Sequence, residues 1–322
     1  MINIGFIGLG GMARNHLQRL REIPEAKTEA GTDPDPGRRV EAAEKYGLRV
    51  YESQQEMLGR EKLDAVYICL PPHAHDGQEL EIVRRGLALF VEKPVCLDLS
   101  YAQRTADTIT RSGVINAVGY MCRYLDVVEE AKALIGTSPV IVMRGFYYGP
   151  LPPTPWWRRA ELSGGQIIEQ ATHVVDLMRY LAGEADRVTG EAYHGAMTEN
   201  EGYNVDDASS VNIRFRGGAI ANLTCACVLA KQYCPGLEIV TKGRRLWLDL
   251  PPRPVKLVQL DGVDLETDSG HDRFIREDQA FVAAVAGHDQ RLIRSDYADA
   301  AKTLALTLAM QRAVETGDTV RL

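Results

Sequence analysis

Apolar residues follow two rhythms along this chain. Up to about residue 119, short apolar runs alternate with stretches whose apolar positions recur every three or four residues. Residues 2–7 read as a strand, 13–21 as a helix, 28–32 as a weaker strand and 38–46 as a second helix. Asp64-Ala65-Val66-Tyr67-Ile68-Cys69-Leu70 is nearly continuous in apolar character, as expected of a strand buried on both faces. Residues 76–85 follow as a helix, 87–91 as a strand, 100–111 as a helix opened by an N-capping side chain, and 114–119 as a closing strand. Strands alternating with helices predict a doubly wound parallel sheet.

Beyond Tyr120 the texture changes. One helix, 126–135, precedes strand-like runs at 140–148, 188–193, 209–215, 219–229, 237–241, 244–248 and 255–260. Arg216-Gly217-Gly218 and Lys242-Gly243 have the composition of hairpin turns, so this region predicts a largely antiparallel sheet. Helices at 274–286 and 296–315 end the chain. The expected class is α/β, with domains at 1–119 and 120–322. The second of these is an α+β domain.

Composition narrows the class. The 322 residues are 45% hydrophobic and 25% charged, enough for two domains with their own cores. A net charge of -7 offers no electrostatic footprint for nucleic acid or an anionic membrane. No apolar run reaches the ~18 residues of a membrane span. Met1-Ile2-Asn3-Ile4 lacks the charged start of a secretory signal. The six cysteines, Cys69, Cys96, Cys122, Cys225, Cys227 and Cys234, never take a C-x-x-C spacing. Reduced thiols in a cytoplasmic protein are expected, and no metal site.

Gly8-Leu9-Gly10-Gly11-Met12-Ala13 matches G-x-G-x-x-A between a strand and a helix. Gly8 permits the tight turn, Gly10 lets the backbone approach a pyrophosphate, and small Ala13 lets helix and strand pack closely. Phosphates would rest on the helix start at Gly11 and Met12. Asp33, twenty positions beyond Ala13, stands where an acid binds a ribose 2′-hydroxyl and favours NAD over NADP. Arg38 follows closely, which leaves NADP possible. Asp33-Pro34-Asp35-Pro36 also reads simply as a turn and helix start.

Two further stretches end strands. Leu70-Pro71-Pro72-His73-Ala74-His75 could line the nicotinamide side with Leu70, Pro71 and His75, or be ordinary loop. Phe90-Val91-Glu92-Lys93-Pro94 closes an apolar run with an acid, a base and a proline that holds Lys93 extended. The carboxyl ends of such strands are where ligands bind. A surface lysine accounts for Lys93 equally well when the stretch is taken alone. Farther on, Ser163-Gly164-Gly165 leads into a long helical pattern that puts Glu169, His173 and Asp176 on one stripe. That stripe is either a solvated face or a proton-transfer site in which a carboxylate supports the imidazole.

The order and spacing of these motifs resemble the Gfo/Idh/MocA oxidoreductases. The likeness extends to Tyr120-Met121-Cys122-Arg123-Tyr124 and to Ser295-Asp296-Tyr297-Ala298-Asp299-Ala300. The resemblance implies an N-terminal Rossmann domain binding NAD(P) and a C-terminal domain with a large open-faced sheet for substrate binding and oligomerisation. It assigns Lys93 to proton transfer and hydroxyl positioning, and His173 to general acid/base work. Glu169 stands where the family often has aspartate, Gln170-Ala171 replaces Leu-Gly, and Pro72 replaces asparagine. Glu92 joins Lys93 as a candidate cofactor contact and anchor of its turn, and the Lys93–Pro94 bond is expected to be cis.

Tyr120, Arg123, Trp157 and Arg158 are candidate sugar contacts, although a structural aromatic loop explains Trp157 as well. The expected activity is hydride transfer between a nicotinamide and a CH–OH carbon of a sugar, sugar derivative or cyclitol, in a cytoplasmic homodimer or homotetramer. Alternatives are a lyase or glycosidase that retains its NAD, and a nucleotide sensor without catalysis.

Overall fold

A computed structural model describes residues 1–231, 235–250, 256–259, 266–268 and 272–322. They form two compact units, Met1–Tyr124 with Asp272–Ala301, and Leu125–His271 with Lys302–Leu322.

The first unit carries strands β1 (Ile2–Ile7), β2 (Ala26–Thr32), β3 (Arg49–Tyr51), β4 (Ala65–Ile68), β5 (Ala88–Val91) and β6 (Asn116–Val118). All pair in parallel, in the order β3-β2-β1-β4-β5-β6. The order reverses between β1 and β4, so the crevice for a ligand lies beyond their carboxyl ends. The helices are α1 (Gly11–Leu20), α2 (Pro36–Tyr46), α3 (Gln54–Arg60), α4 (Gln78–Arg84) and α5 (Leu99–Ser112). β3 and α3 escape the sequence pattern because each is too short to show a period. The cap of α5 is Asp98, whose side chain accepts the Tyr101 N–H. α1 buries Ala13, His16, Leu17 and Leu20, a stripe at helical spacing in which one member is an imidazole.

The second unit opens with α6 (Asp126–Ile135) and β7 (Val140–Tyr148), followed by α7 (Ala160–Ser163), α8 (Gly165–Glu169) and α9 (Thr172–Ala182). Its other strands are β8 (Ala185–Tyr193), β9 (Ala208–Phe215), β10 (Ile220–Ala226), β11 (Gly236–Thr241), β12 (Arg244–Asp249), β13 (Lys256–Gln259), β14 (Glu266–Asp268) and β15 (Val320–Arg321). They form one sheet in the order β14-β13-β12-β11-β7-β10-β9-β8-β15, antiparallel except for β7 with β10. The strand expected at 255–260 is β13, and its two end residues lie outside the described residues.

The long helical pattern expected after Gly165 is two helices. α8 stops at Glu169 and α9 starts at Thr172, with Gln170 and Ala171 between them.

Two last helices follow, α10 (Arg273–Gly287) and α11 (Tyr297–Thr316). α10 belongs to the first unit, so a single cut after residue 119 misses the return of the chain. Phe281, Val282 and Val285 share a core with Leu17, Tyr67 and Phe90. Their apolar stripe reads as any amphipathic helix, and nothing in it names the sheet that it covers.

In the second unit α9 lies against β7 at Gly145. A Cβ there would come within 2.6 Å of Val174 Cγ1 and 2.5 Å of Met178 Cε. Gly145→Ala should therefore destabilise the protein by about 1–3 kcal/mol through overpacking. Urea unfolding checks this, and an unchanged midpoint would contradict the close approach.

Candidate functional site

The glycine turn has the geometry that a dinucleotide requires. Gly8 sits at φ +88°, and a Cβ there would lie 2.5 Å from the Cys69 carbonyl oxygen, so only glycine fits beside β4. At Gly10 an added Cβ would meet nothing nearer than Arg38 Nη1 at 4.0 Å, and at Gly11 nothing within 4 Å. The backbone is thus open exactly where a pyrophosphate must approach. Gly10 caps α1 without a side chain, which leaves the first amides of the helix for an anion.

Asp33 follows β2 and is 2% exposed. The Leu9 N–H donates to its Oδ2 at 2.8 Å and the Asp35 N–H to its Oδ1 at 2.9 Å. Asp33 therefore braces the glycine turn. Arg38 Nη1 lies 3.5 Å from Asp33 Oδ2 on a half-exposed side chain. Of the other cofactor candidates, Leu70 has its Cδ2 3.2 Å from the Gly8 Cβ position, and Pro71 is extended with ψ 153° just before a short 3₁₀ turn at Pro72–Ala74. Met12 is half-buried on α1. The ring of His75 is turned inward onto buried Glu79, which also accepts the Tyr101 hydroxyl at 2.7 Å.

Lys93 is half-buried, directly after β5, and its bond to Pro94 is cis. Its backbone N–H donates to Glu92 Oε2 at 3.1 Å. Glu92 is 3% exposed, and its other oxygen lies 2.9 Å from Nε2 of His16. His16 Nδ1 in turn lies 2.8 Å from Oδ1 of Asp278 on α10, which also accepts the Tyr67 hydroxyl at 3.1 Å. Sequence reasoning missed His16, Tyr67 and Asp278. The one available signal was a histidine on the buried stripe of the phosphate-facing helix.

In the second unit Gly164 and Gly165 sit at φ +75° and +79°, the two-glycine turn that starts α8. Glu169 ends α8, and its Oε2 accepts the Trp157 indole N–H at 2.8 Å. His173 lies in the first turn of α9, half-buried. The break between α8 and α9 separates Glu169 from His173, so they do not share a continuous helical stripe. Asp176 is fully buried and accepts the Thr303 hydroxyl at 2.8 Å, a structural duty.

The remaining candidates divide by burial. Tyr120 and Trp157 are 2% and 1% exposed. Arg123 is 3% exposed, 2.7 Å from Asp299, and donates to the Arg294 carbonyl oxygen at 2.6 Å. These three build walls within their own units. Arg158 and Trp156 keep some surface in the aromatic loop. Among the described residues Cys69, Cys96, Cys122, Cys225 and Cys227 are free thiols, and Cys234 lies outside the described residues. Burial pushes the Cys96 and Cys225 thiols up to about 12, which removes both as nucleophiles near neutral pH. No group of three metal-binding side chains and no helix long and apolar enough to cross a membrane occurs among the described residues.

A reversing parallel sheet, an open glycine turn and an acid after β2 define a dinucleotide-binding protein. The profile of the oxidoreductase family with an NAD-binding Rossmann fold matches residues 2–120, and that of the GFO/IDH/MocA C-terminal domain matches residues 133–246. The chain belongs to the Gfo/Idh/MocA family of NAD-binding oxidoreductases. It is 29% identical to scyllo-inositol 2-dehydrogenase (NAD(+)) of Bacillus subtilis over 69% of this chain and 66% of that protein. It is 25% identical to myo-inositol 2-dehydrogenase of Thermotoga maritima over 77% of this chain and 75% of that one. The solved levoglucosan dehydrogenase in complex with NADH and L-sorbose shares the fold at a TM-score of 0.87 and 16% identity, covering 99% and 98% of the two chains.

Asp33→Ala should lower the preference for NADH over NADPH in binding about tenfold, the equivalent of one hydrogen bond to a charged group. Fluorescence titration with both nucleotides measures this. An unchanged ratio would contradict the ribose contact.

Proposed function

We propose that the chain is an NAD-dependent dehydrogenase or reductase acting on a secondary hydroxyl of a sugar, sugar derivative or cyclitol. The observation that carries this reading is Lys93, set by buried Glu92 immediately after β5 in the sheet that bears the open glycine turn. A bound dinucleotide supplies the hydride acceptor. Lys93 holds the substrate hydroxyl and shares its proton, while His173 serves as general acid/base. The carbon would give its hydride to the bound nicotinamide, and the hydroxyl its proton to Lys93 and His173, so alcohol would become carbonyl.

Glu169 holds the Trp157 indole and with it the aromatic loop of the second unit, from which Arg158 and Trp156 contact the sugar. Glu169 also supplies the carboxylate that supports the His173 imidazole. The inositol dehydrogenases among the relatives support the polyol class. We place the enzyme in the cytoplasm as a homodimer or homotetramer, which light scattering on the purified protein tests.

A screen of cyclitols, polyols and aldoses with NAD⁺ and NADP⁺, followed by nicotinamide absorbance, should find turnover with one of them. On that substrate Lys93→Ala should lower kcat by at least about a hundredfold while NADH affinity stays within a few-fold. Full activity in that variant would overturn the assigned role of the lysine.

A further inference from the structure

His16 does not belong to the glycine fingerprint, does not face a ligand crevice, and has no exposed surface. Its ring is set among Tyr67, Phe90 and Phe274, with centroids at 5.2, 5.0 and 6.3 Å. A histidine placed there for packing alone would leave two polar nitrogens in an aromatic core. Both are instead met by carboxylates, Glu92 at 2.9 Å and Asp278 at 2.8 Å. A neutral imidazole carries one N–H, so two carboxylate partners call for the doubly protonated ring. Burial opposes that charge, but Asp278 and Glu92 outweigh it and hold the His16 imidazolium well above the ordinary histidine range.

The neighbouring titratable groups complete the arrangement. Glu277, beside Asp278 on α10, is 1% exposed, and burial and then Glu92 raise its carboxyl well above the usual range. Burial likewise raises the Tyr67 hydroxyl and the Cys69 thiol well above their ordinary values. Burial lowers the Arg273 guanidinium from its ordinary value. Burial raises the Asp278 carboxyl as well, against the lowering pull of His16. Asp278, His16 and Glu92 form one linked row that ends at the Lys93 backbone N–H. Glu92 has no freedom to drift in it. One oxygen faces His16, the other accepts the Lys93 N–H, and the carboxylate lies against Gly119, where a Cβ would fall 2.8 Å from Oε1.

We infer that His16 is a positioning residue for Lys93: from the helix that receives the cofactor phosphates, it holds the Glu92 carboxylate in one orientation, and Glu92, by accepting the Lys93 N–H, fixes the backbone from which the lysine projects. One helix would then align both ends of the reaction, the dinucleotide through its N-terminus and the lysine through His16. The inference rests on the assignment of Lys93 above, so its test reads the lysine directly and needs no substrate.

The full-length protein is labelled with ¹⁵N-lysine and saturated with NADH, and its amide spectrum is recorded, with the Lys93 signal assigned through Lys93→Arg. In His16→Gln the Glu92 carboxylate loses the partner that orients it, and its hydrogen bond from the Lys93 N–H weakens. The Lys93 amide proton signal then moves upfield, clear of its wild-type position. Glu92→Gln should move it in the same direction, and the double variant no farther than the larger single change, because both act through one side chain. Circular dichroism and NADH affinity within about threefold of wild type confirm an intact fold and phosphate site.

An unmoved Lys93 amide signal in folded His16→Gln, or movements that add in the double variant, would overturn the inference. Should His16→Gln fail to fold, the near-isosteric Glu92→Gln decides, and an unmoved amide signal there overturns it too. Loss of turnover in Lys93→Ala is a separate result. If Lys93 proves dispensable while its amide signal still follows His16, the functional reading fails and the coupling stands.

Discussion

A buried imidazole between two carboxylates holds the first unit together at its functional end. His16 reaches Glu92 at the end of β5 and Asp278 on α10, so one side chain ties a helix of the sheet to a late segment of the chain. Ion pairs of this kind contribute little net stability, because desolvation cancels much of the attraction. Removing one partner is another matter, costing about 3–5 kcal/mol by leaving a buried charge unmatched. The pairing therefore acts less as glue than as a constraint on geometry. It fixes which way Glu92 points, and Glu92 in turn accepts the Lys93 backbone N–H.

The dinucleotide end of the site is built on the opposite principle. There the backbone is left bare, with Gly8 in a conformation and a contact that exclude a side chain and Gly11 facing open space. Asp33 closes the turn from behind by accepting the Leu9 N–H. Stiffness comes from the buried brace and access from the missing Cβ atoms. The family assignment agrees with a turn that receives a nicotinamide dinucleotide.

Much of this was legible in the sequence. The alternation of buried strands and helices gave the parallel sheet, and G-x-G-x-x-A with Asp33 located the turn, because both depend on local residue choice. The apolar run before Lys93 is the strand β5. What escaped depends on contacts far apart in sequence. His16 meets Asp278 across most of the chain, and no local pattern marks α10 as the cover of the first sheet. The reading of 163–176 as one helix failed for a local reason, since nothing in Gln170-Ala171 forbids a helix and the break shows only in the fold. Arg123 pairs with Asp299, a partner 176 positions on that no local pattern points to.

The central claim is hydride transfer from a carbinol carbon to a bound nicotinamide. Its most direct measurement is the fate of deuterium, placed on the oxidised carbon of the polyol that supports turnover and followed by mass spectrometry of the cofactor and product. The account predicts one deuterium on the nicotinamide ring of released NADH and a carbonyl product without it. Deuterium retained by the product, or lost to water with an unlabelled cofactor, would contradict it.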